Sequence, residues 1–263
     1  MTAAAVPPAT SEGAGTPPLV LLHGFPLDGR MWAPQVEALS SHYQVVVPDL
    51  RGFGSARDQR VEVAEMDLLA DDLARLLDQL ALERVVLCGL SLGGYVSFAF
   101  ARRHPGRLRG LVLAATKATA DDEQAVAARL AMADRVLTEG VGFLPEAMLP
   151  VLLGASTRRL RPTLVEKVTK MLLEQEPAAV AAAQRGMARR PDVTAELAAI
   201  SVPALVLCGT EDQGFGPEVG RELAAAIPDA TFVQIPEAGH LLNLEQPAQV
   251  NEALLDFVAP LWI

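Results

Sequence analysis

Residues 89–94 read Gly-Leu-Ser-Leu-Gly-Gly, directly after the apolar run Val85-Val86-Leu87 and ahead of a helix-like stretch from Leu92 to Arg103. This pattern can make Ser91 a nucleophile. A sharp strand-to-helix turn lifts the hydroxyl out of a sheet, and such a turn tolerates only very small flanks, here Gly89 and Gly93. The helix N-terminus behind the serine supplies positive potential where negative charge would develop. A hydroxyl is a weak nucleophile and needs a base. The chain has four histidines. His42, in a polar segment before a strand, and His104, before Pro105, read as solvated or structural. His23 precedes Gly24 at a strand end. His240 lies in Glu237-Ala238-Gly239-His240-Leu241, a loop just after the predicted strand Thr231–Ile235. Open α/β sheets gather their sites at such strand ends, so His240 is the base candidate. Asp212, in Gly209-Thr210-Glu211-Asp212, is the candidate acid that orients the imidazole. Glu211, Asp121 and Asp122 are the other carboxylates that could take this part.

An acyl-transfer site also needs two N–H groups for the developing oxyanion. Leu92, next to Ser91, offers one. The loop His23-Gly24-Phe25-Pro26 offers the other at Phe25, because Pro26 has no N–H. Candidate pocket walls are Phe25, Trp32, Leu92, Phe143 and Leu241. Asp49, Arg51 and Gly52 read as loop-holding residues. Cys88 and Cys208 read as buried thiols at strand ends, and two distant cysteines make no zinc pattern.

These residues must be positioned by a scaffold, and the apolar runs outline it. Leu19–Leu22, Val45–Val47, Val85–Leu87, Leu111–Leu113, Ala204–Cys208 and Thr231–Ile235 read as buried strands. Helices are expected at Met31–Ser40, Ala64–Leu80, Leu92–Arg103, Pro217–Ile227 and Pro247–Ala259. Buried strands alternating with amphipathic helices predict an α/β fold, a parallel sheet covered on both faces. The alternation stops from about Lys117 to Asp192, where the chain is Ala-, Leu- and Arg-rich and shows no strand. Residues 18–116 and 193–263 are therefore expected to form the core, and 117–192 a helical cap. Residues 1–17 are expected to be a flexible leader, with a short edge strand around Ala4–Val6 as the alternative.

Composition sets outer bounds. At 263 residues, 51% hydrophobic and 21% charged, the chain is a folded domain and not a disordered one. A formal charge of −10 disfavours nucleic acid and anionic membrane as partners. No apolar run reaches the roughly 18 residues of a membrane span. The N-terminus lacks the basic and apolar regions of a signal peptide. With only two cysteines, a cytoplasmic location is expected; the expected assembly is a monomer or small homo-oligomer.

The segments LVLLHGFP, VVVPDLRGFG, VVLCGLSLGGY, VPALVLCGTED and IPEAGHLLNLEQP together resemble the α/β-hydrolases, from Pro18 to Ile263. The order Ser91, Asp212, His240 is the order of that family's triad. The layout is similar to 3-oxoadipate enol-lactonases, pimeloyl-carrier-protein methyl ester esterases and cofactor-free haloperoxidases. Epoxide hydrolases and haloalkane dehalogenases carry Asp as nucleophile, and Ser91 argues against both. The resemblance implies a serine hydrolase cleaving a small-molecule carboxylic ester or lactone, with no cofactor and no metal. A cofactor-free perhydrolase, hinted at by Pro26, and a ligand-binding receptor that keeps the triad are the other readings. The family's first two strands normally precede the LVLLHG segment. This N-terminus does not read as a hairpin, so one or both are expected to be missing. The family's strand order also puts one strand between Cys88 and Cys208, too far apart for a disulfide.

Overall fold

The computed structural model describes residues 6–262. Among these residues, seven strands form one sheet: β1 (Ala9–Glu12), β2 (Leu19–Leu22), β3 (Val45–Pro48), β4 (Val85–Leu90), β5 (Leu108–Ala114), β6 (Ala204–Gly209) and β7 (Ala230–Ile235). Their spatial order is β1-β3-β2-β4-β5-β6-β7. All pairings are parallel except β1 with β3. Every residue of β2, β3, β4 and β6 is buried. That is the signature of a sheet covered on both faces, and it is why these strands read as unbroken apolar runs. The covering helices of the core are α1 (Ala33–Leu39), α2 (Met66–Gln79), α3 (Leu92–Arg103), α9 (Pro217–Ala225), α10 (Leu242–Glu245) and α11 (Pro247–Val258).

Two features depart from expectation. Residues 1–17 are not all a loose leader: Ala9–Glu12 pairs antiparallel with β3, from Ala9 opposite Pro48 to Glu12 opposite Val45. All four residues of β1 are exposed, so hydropathy carries no trace of the strand. Backbone pairing makes it, and it covers an edge that β3 would otherwise leave open. Of the alternative strand at Ala4–Val6, Ala4 and Ala5 lie outside the described residues, and Val6 is not in a strand. Among the described residues, one strand and not two precedes β2. The second departure is β5, which starts at Leu108 rather than Leu111. Arg109 and Gly110 hide its beginning, and the register against β4 shifts between Val85 and Val86.

Between β5 and β6 run five α-helices, α4 (Glu123–Glu139), α5 (Leu144–Leu152), α6 (Ala155–Leu160), α7 (Pro162–Leu173) and α8 (Pro177–Ala188), and then a 3-10 helix, Thr194–Ala199. The chain entering this segment is tied to the chain leaving it. Val193 N donates to Ala118 O (3.0 Å), and Arg190 Nη2 donates to Thr119 O and to Asp121 Oδ1 (2.9 Å each). Arg129 also donates to the Asp121 carboxylate. Burial would raise the Asp121 carboxyl, but the Arg190 and Arg129 hydrogen bonds outweigh it and hold it well below the usual range. So engaged, Asp121 is not available to a histidine.

Asp121 and Arg190 expose 3% and 4% of their side chains, so Asp121→Asn strands a buried guanidinium. The expected cost at pH 7 is about 3 kcal/mol in urea unfolding. The sign with pH follows from the lowered folded-state value. The Asp121 contribution is full above the ordinary aspartate value of 3.8 and fades as pH falls below it. The gap between wild type and Asp121→Asn should therefore narrow between pH 7 and pH 3. Equal stability of the two proteins at pH 7 would refute the assignment.

Cys88 on β4 and Cys208 on β6 are separated by β5, buried and free. Burial pushes both thiols up, Cys208 to about 12, so neither is a reactive nucleophile at neutral pH.

Candidate active site

Ser91 joins β4 to α3 with φ 54° and ψ −108°, a left-handed conformation unusual for a residue with a side chain. Hydrogen bonds hold the turn: Ser91 N donates to Ala114 O (2.9 Å), and Thr116 Oγ1 donates to Ser91 O (3.1 Å). The glycine flanks are sterically required. A Cβ on Gly89 would lie 2.2 Å from Gly93 O, and one on Gly93 would lie 2.4 Å from Leu22 O. The Ser91 hydroxyl enters no hydrogen bond with another described residue, His240 included.

His240 and Asp212 are brought together. Asp212 follows β6 and His240 follows β7, and their side chains meet at 2.7 Å between Nδ1 and Oδ2. Asp212 Oδ1 accepts from Gly214 N and Phe215 N, both at 3.0 Å. Burial alone would raise the Asp212 carboxyl. The hydrogen bond and charge of His240, with the N–H groups of Phe215 and Gly214, outweigh it and hold the group below the ordinary aspartate range. An ionised carboxylate can only accept, so the proton sits on His240 Nδ1 and the lone pair on Nε2. Phe215 tilts over the imidazole with ring centres 5.0 Å apart. Glu211 is used elsewhere, its Oε2 accepting from Ser156 N (2.8 Å). Strand pairing runs from Leu90 through Ala114 to Leu207, and from Gly209 to Ile235. Ser91, Asp212 and His240 therefore all leave the sheet at its C-terminal edge.

The Phe25 and Leu92 N–H groups donate to no acceptor among the described residues. For Leu92 the reason is general, because the first N–H of a helix has no intrahelical partner. For Phe25 it is the turn closed by Leu27 N on Gly24 O (3.0 Å) that leaves its N–H over. Sequence gave His23 no role, but it anchors this turn. His23 Nδ1 donates to Gly24 O (3.1 Å), and Nε2 accepts from Leu50 N (3.0 Å). The ring is fully buried, and burial lowers its pKa, so it stays neutral and can do both.

The expected pocket walls fall in different settings. Phe25, Trp32, Leu92 and Leu241 are buried in the core cluster. Phe143 is half-buried and carries the Arg135 guanidinium 3.8 Å above its ring. Asp49 and Arg51 hold loops, as expected. Asp49 accepts from Gly29 N (2.7 Å) and from Ser55 N (2.7 Å), and Arg51 pairs with Asp72. A further tie was not legible: buried Asp28 accepts from Gln175 Nε2 (3.0 Å), joining the Phe25 loop to the end of α7.

The profile of the family described as alpha/beta hydrolase fold matches residues 17–247. A curated relative, 3-oxoadipate enol-lactonase 2 of Acinetobacter baylyi, is 30% identical over 253 residues, covering 94% of this chain and 90% of the relative. Among solved structures, a thermophilic esterase from Thermogutta terrifontis with malate bound is 45% identical, with a TM-score of 0.94 and coverage of 97% and 94%. The enol-lactonase from Burkholderia xenovorans LB400 is 31% identical, with a TM-score of 0.87 and coverage of 95% of each chain.

Proposed function

The chain belongs to the α/β-hydrolase family, and from that membership we propose that it is a serine hydrolase of carboxylic esters or lactones. One observation carries the proposal. A hydroxyl free of partners among the described residues sits on a strained turn, near two N–H groups, Phe25 and Leu92, that have no acceptor among those residues. In this reading Ser91 Oγ attacks the substrate carbonyl carbon while His240 Nε2 takes its proton. Asp212 holds the imidazole and stabilises its charged form. The carbonyl oxygen, now negative, is received by the Phe25 and Leu92 N–H groups. The intermediate collapses, His240 returns the proton to the leaving alkoxide, and Ser91 is left acylated. Water, deprotonated by His240, then attacks the acyl carbon; the bond to Ser91 Oγ breaks, Ser91 Oγ takes the proton back from His240, and the acid is released.

The segment α4–α8 acts as a cap that shapes the acyl pocket and keeps bulk water out. Its abundance of Ala and Leu and scarcity of aromatics favour modest, uncharged acyl groups. The substrate is a small molecule. No helix among the described residues is long and apolar enough to cross a membrane.

The test is a panel of esters of graded acyl length together with five- and six-membered lactones. Turnover should be greatest with short apolar acyl chains, and a serine-directed phosphonate should label Ser91 and stop it. Labelling without turnover of any ester or lactone would replace the enzyme reading by a binding protein. Adding peroxide to the same assay measures acyl transfer to peroxide. A peracid rate above the hydrolytic rate would make peroxide, rather than water, the acceptor.

A further inference from the structure

His240 sits at the end of the sheet, yet much of what holds its loop comes from the helical segment. Leu241 N donates to Leu152 O (3.0 Å). Gly239 N donates to Glu245 Oε1 (3.0 Å), and the other oxygen of that carboxylate accepts from Gly154 N (2.8 Å). Thr157 is buried in the same stretch. Glu245 is 1% exposed, and Gly154 and Gly239 are buried as well. The two glycines pack backbone against backbone. A Cβ on Gly239 would lie 2.3 Å from Gly154 N, and one on Gly154 would lie 3.0 Å from Gly239 N. The acid side is tied to the same stretch, through Glu211 to Ser156 N (2.8 Å). Residues 152–157 thus touch the loops of both Asp212 and His240.

A buried carboxylate with one backbone N–H on each oxygen is a two-ended clamp. One end is the residue before His240, and the other is the N-cap of α6. We propose that Glu245 is a positioning residue for His240, fixing the base against residues 152–157 of the helical segment. The proposal rests on the serine-hydrolase reading for its kinetic consequence, but its structural consequence stands without it. Glu245 touches neither the substrate nor the reacting atoms. It acts by setting where the imidazole lies, and a misplacement of about 1 Å can cost on the order of 10²-fold in rate.

The decisive variant is Glu245→Gln. It keeps the shape, but one oxygen becomes an NH2 group that faces a backbone N–H, so one end of the clamp opens. The expected result is a kcat lower by roughly 10- to 100-fold with KM within about threefold. The second readout is the downfield proton resonance of the His240 Nδ1–H shared with Asp212, identified by its absence in His240→Ala. In folded Glu245→Gln this resonance should shift or broaden. It reports on the clamp even if the protein hydrolyses no ester, so failure of the inference and failure of the hydrolase reading are distinguishable. A kcat within about twofold of wild type with an unmoved resonance overturns the proposal. So does a loss of activity that only tracks the unfolded fraction. If Glu245→Gln does not fold, Glu245→Asp is judged by the same two readouts. It keeps the charge, but its shorter side chain cannot span both N–H groups, and it should lower kcat by roughly three- to tenfold.

Discussion

Ser91→Ala should lower ester turnover by about 10⁴-fold or more, because nucleophile, base and acid act as a unit. Structure makes this a clean experiment. The Ser91 hydroxyl has no hydrogen bond to another described residue to lose, and alanine keeps the Cβ that the turn already accommodates at φ 54°. Ser91 N and O remain bonded to Ala114 and Thr116. The melting temperature should therefore stay within a few degrees of wild type, and phosphonate labelling should vanish. The residual rate would come from the Phe25 and Leu92 N–H groups and from substrate binding alone. Near-normal turnover in a folded Ser91→Ala protein would end the acyl-enzyme mechanism.

Asp212→Asn should cost nearly as much, about 10⁴-fold in kcat, by a different route. Asp212 Oδ1 accepts two backbone N–H groups, from Gly214 and Phe215. An asparagine would keep its carbonyl oxygen there, because an NH2 group would oppose two donors. Its NH2 is then forced toward His240 Nδ1, where the carboxylate now accepts. Nδ1 must become the acceptor and the proton must move to Nε2. A base whose Nε2 already carries a proton cannot take one from serine. KM should change little, since the side chain keeps its size and the substrate is not bound by Asp212. Turnover within tenfold of wild type would show that the imidazole is oriented by some other group.

How much of this was legible depended on what each residue was buried against. The strands Leu19–Leu22 and Ala204–Gly209 stood out because both of their faces are covered, leaving no polar residue to interrupt the run. Helix α3 was legible to the residue, because a glycine-flanked serine fixes its start and His104-Pro105 its end. Strand β1 was not legible, since Ala-Thr-Ser-Glu is wholly exposed and owes its form to a partner more than thirty residues away. His23 showed only as a strand-end histidine, and its neutral, doubly bonded state follows from complete burial, which no local pattern encodes. Glu245 looked like an ordinary charge in Leu-Asn-Leu-Glu-Gln-Pro. The N–H groups of Gly154 and Gly239 that it accepts come from two other loops. Sequence names the residues that bear chemistry, because their types are rare and their neighbours constrained. The residues that hold them are common types made special by distant backbone.

The tie between Ala118 and Val193 bears on how this protein could change over generations. An excursion of some seventy residues leaves and re-enters the sheet at one backbone hydrogen bond, cross-braced by Arg190. With its two ends already adjacent, lengthening or shortening it costs little in closure entropy: each doubling of a flexible loop adds only about 0.6 kcal/mol. Mutation can therefore rewrite much of the interior of the excursion while the strands beneath inherit an unchanged boundary condition. Less free are the stretch from Leu152 to Thr157, bonded to the loops on either side of the imidazole, and positions such as Gln175 and Ala182, bonded to Asp28 and Ala64 of the core.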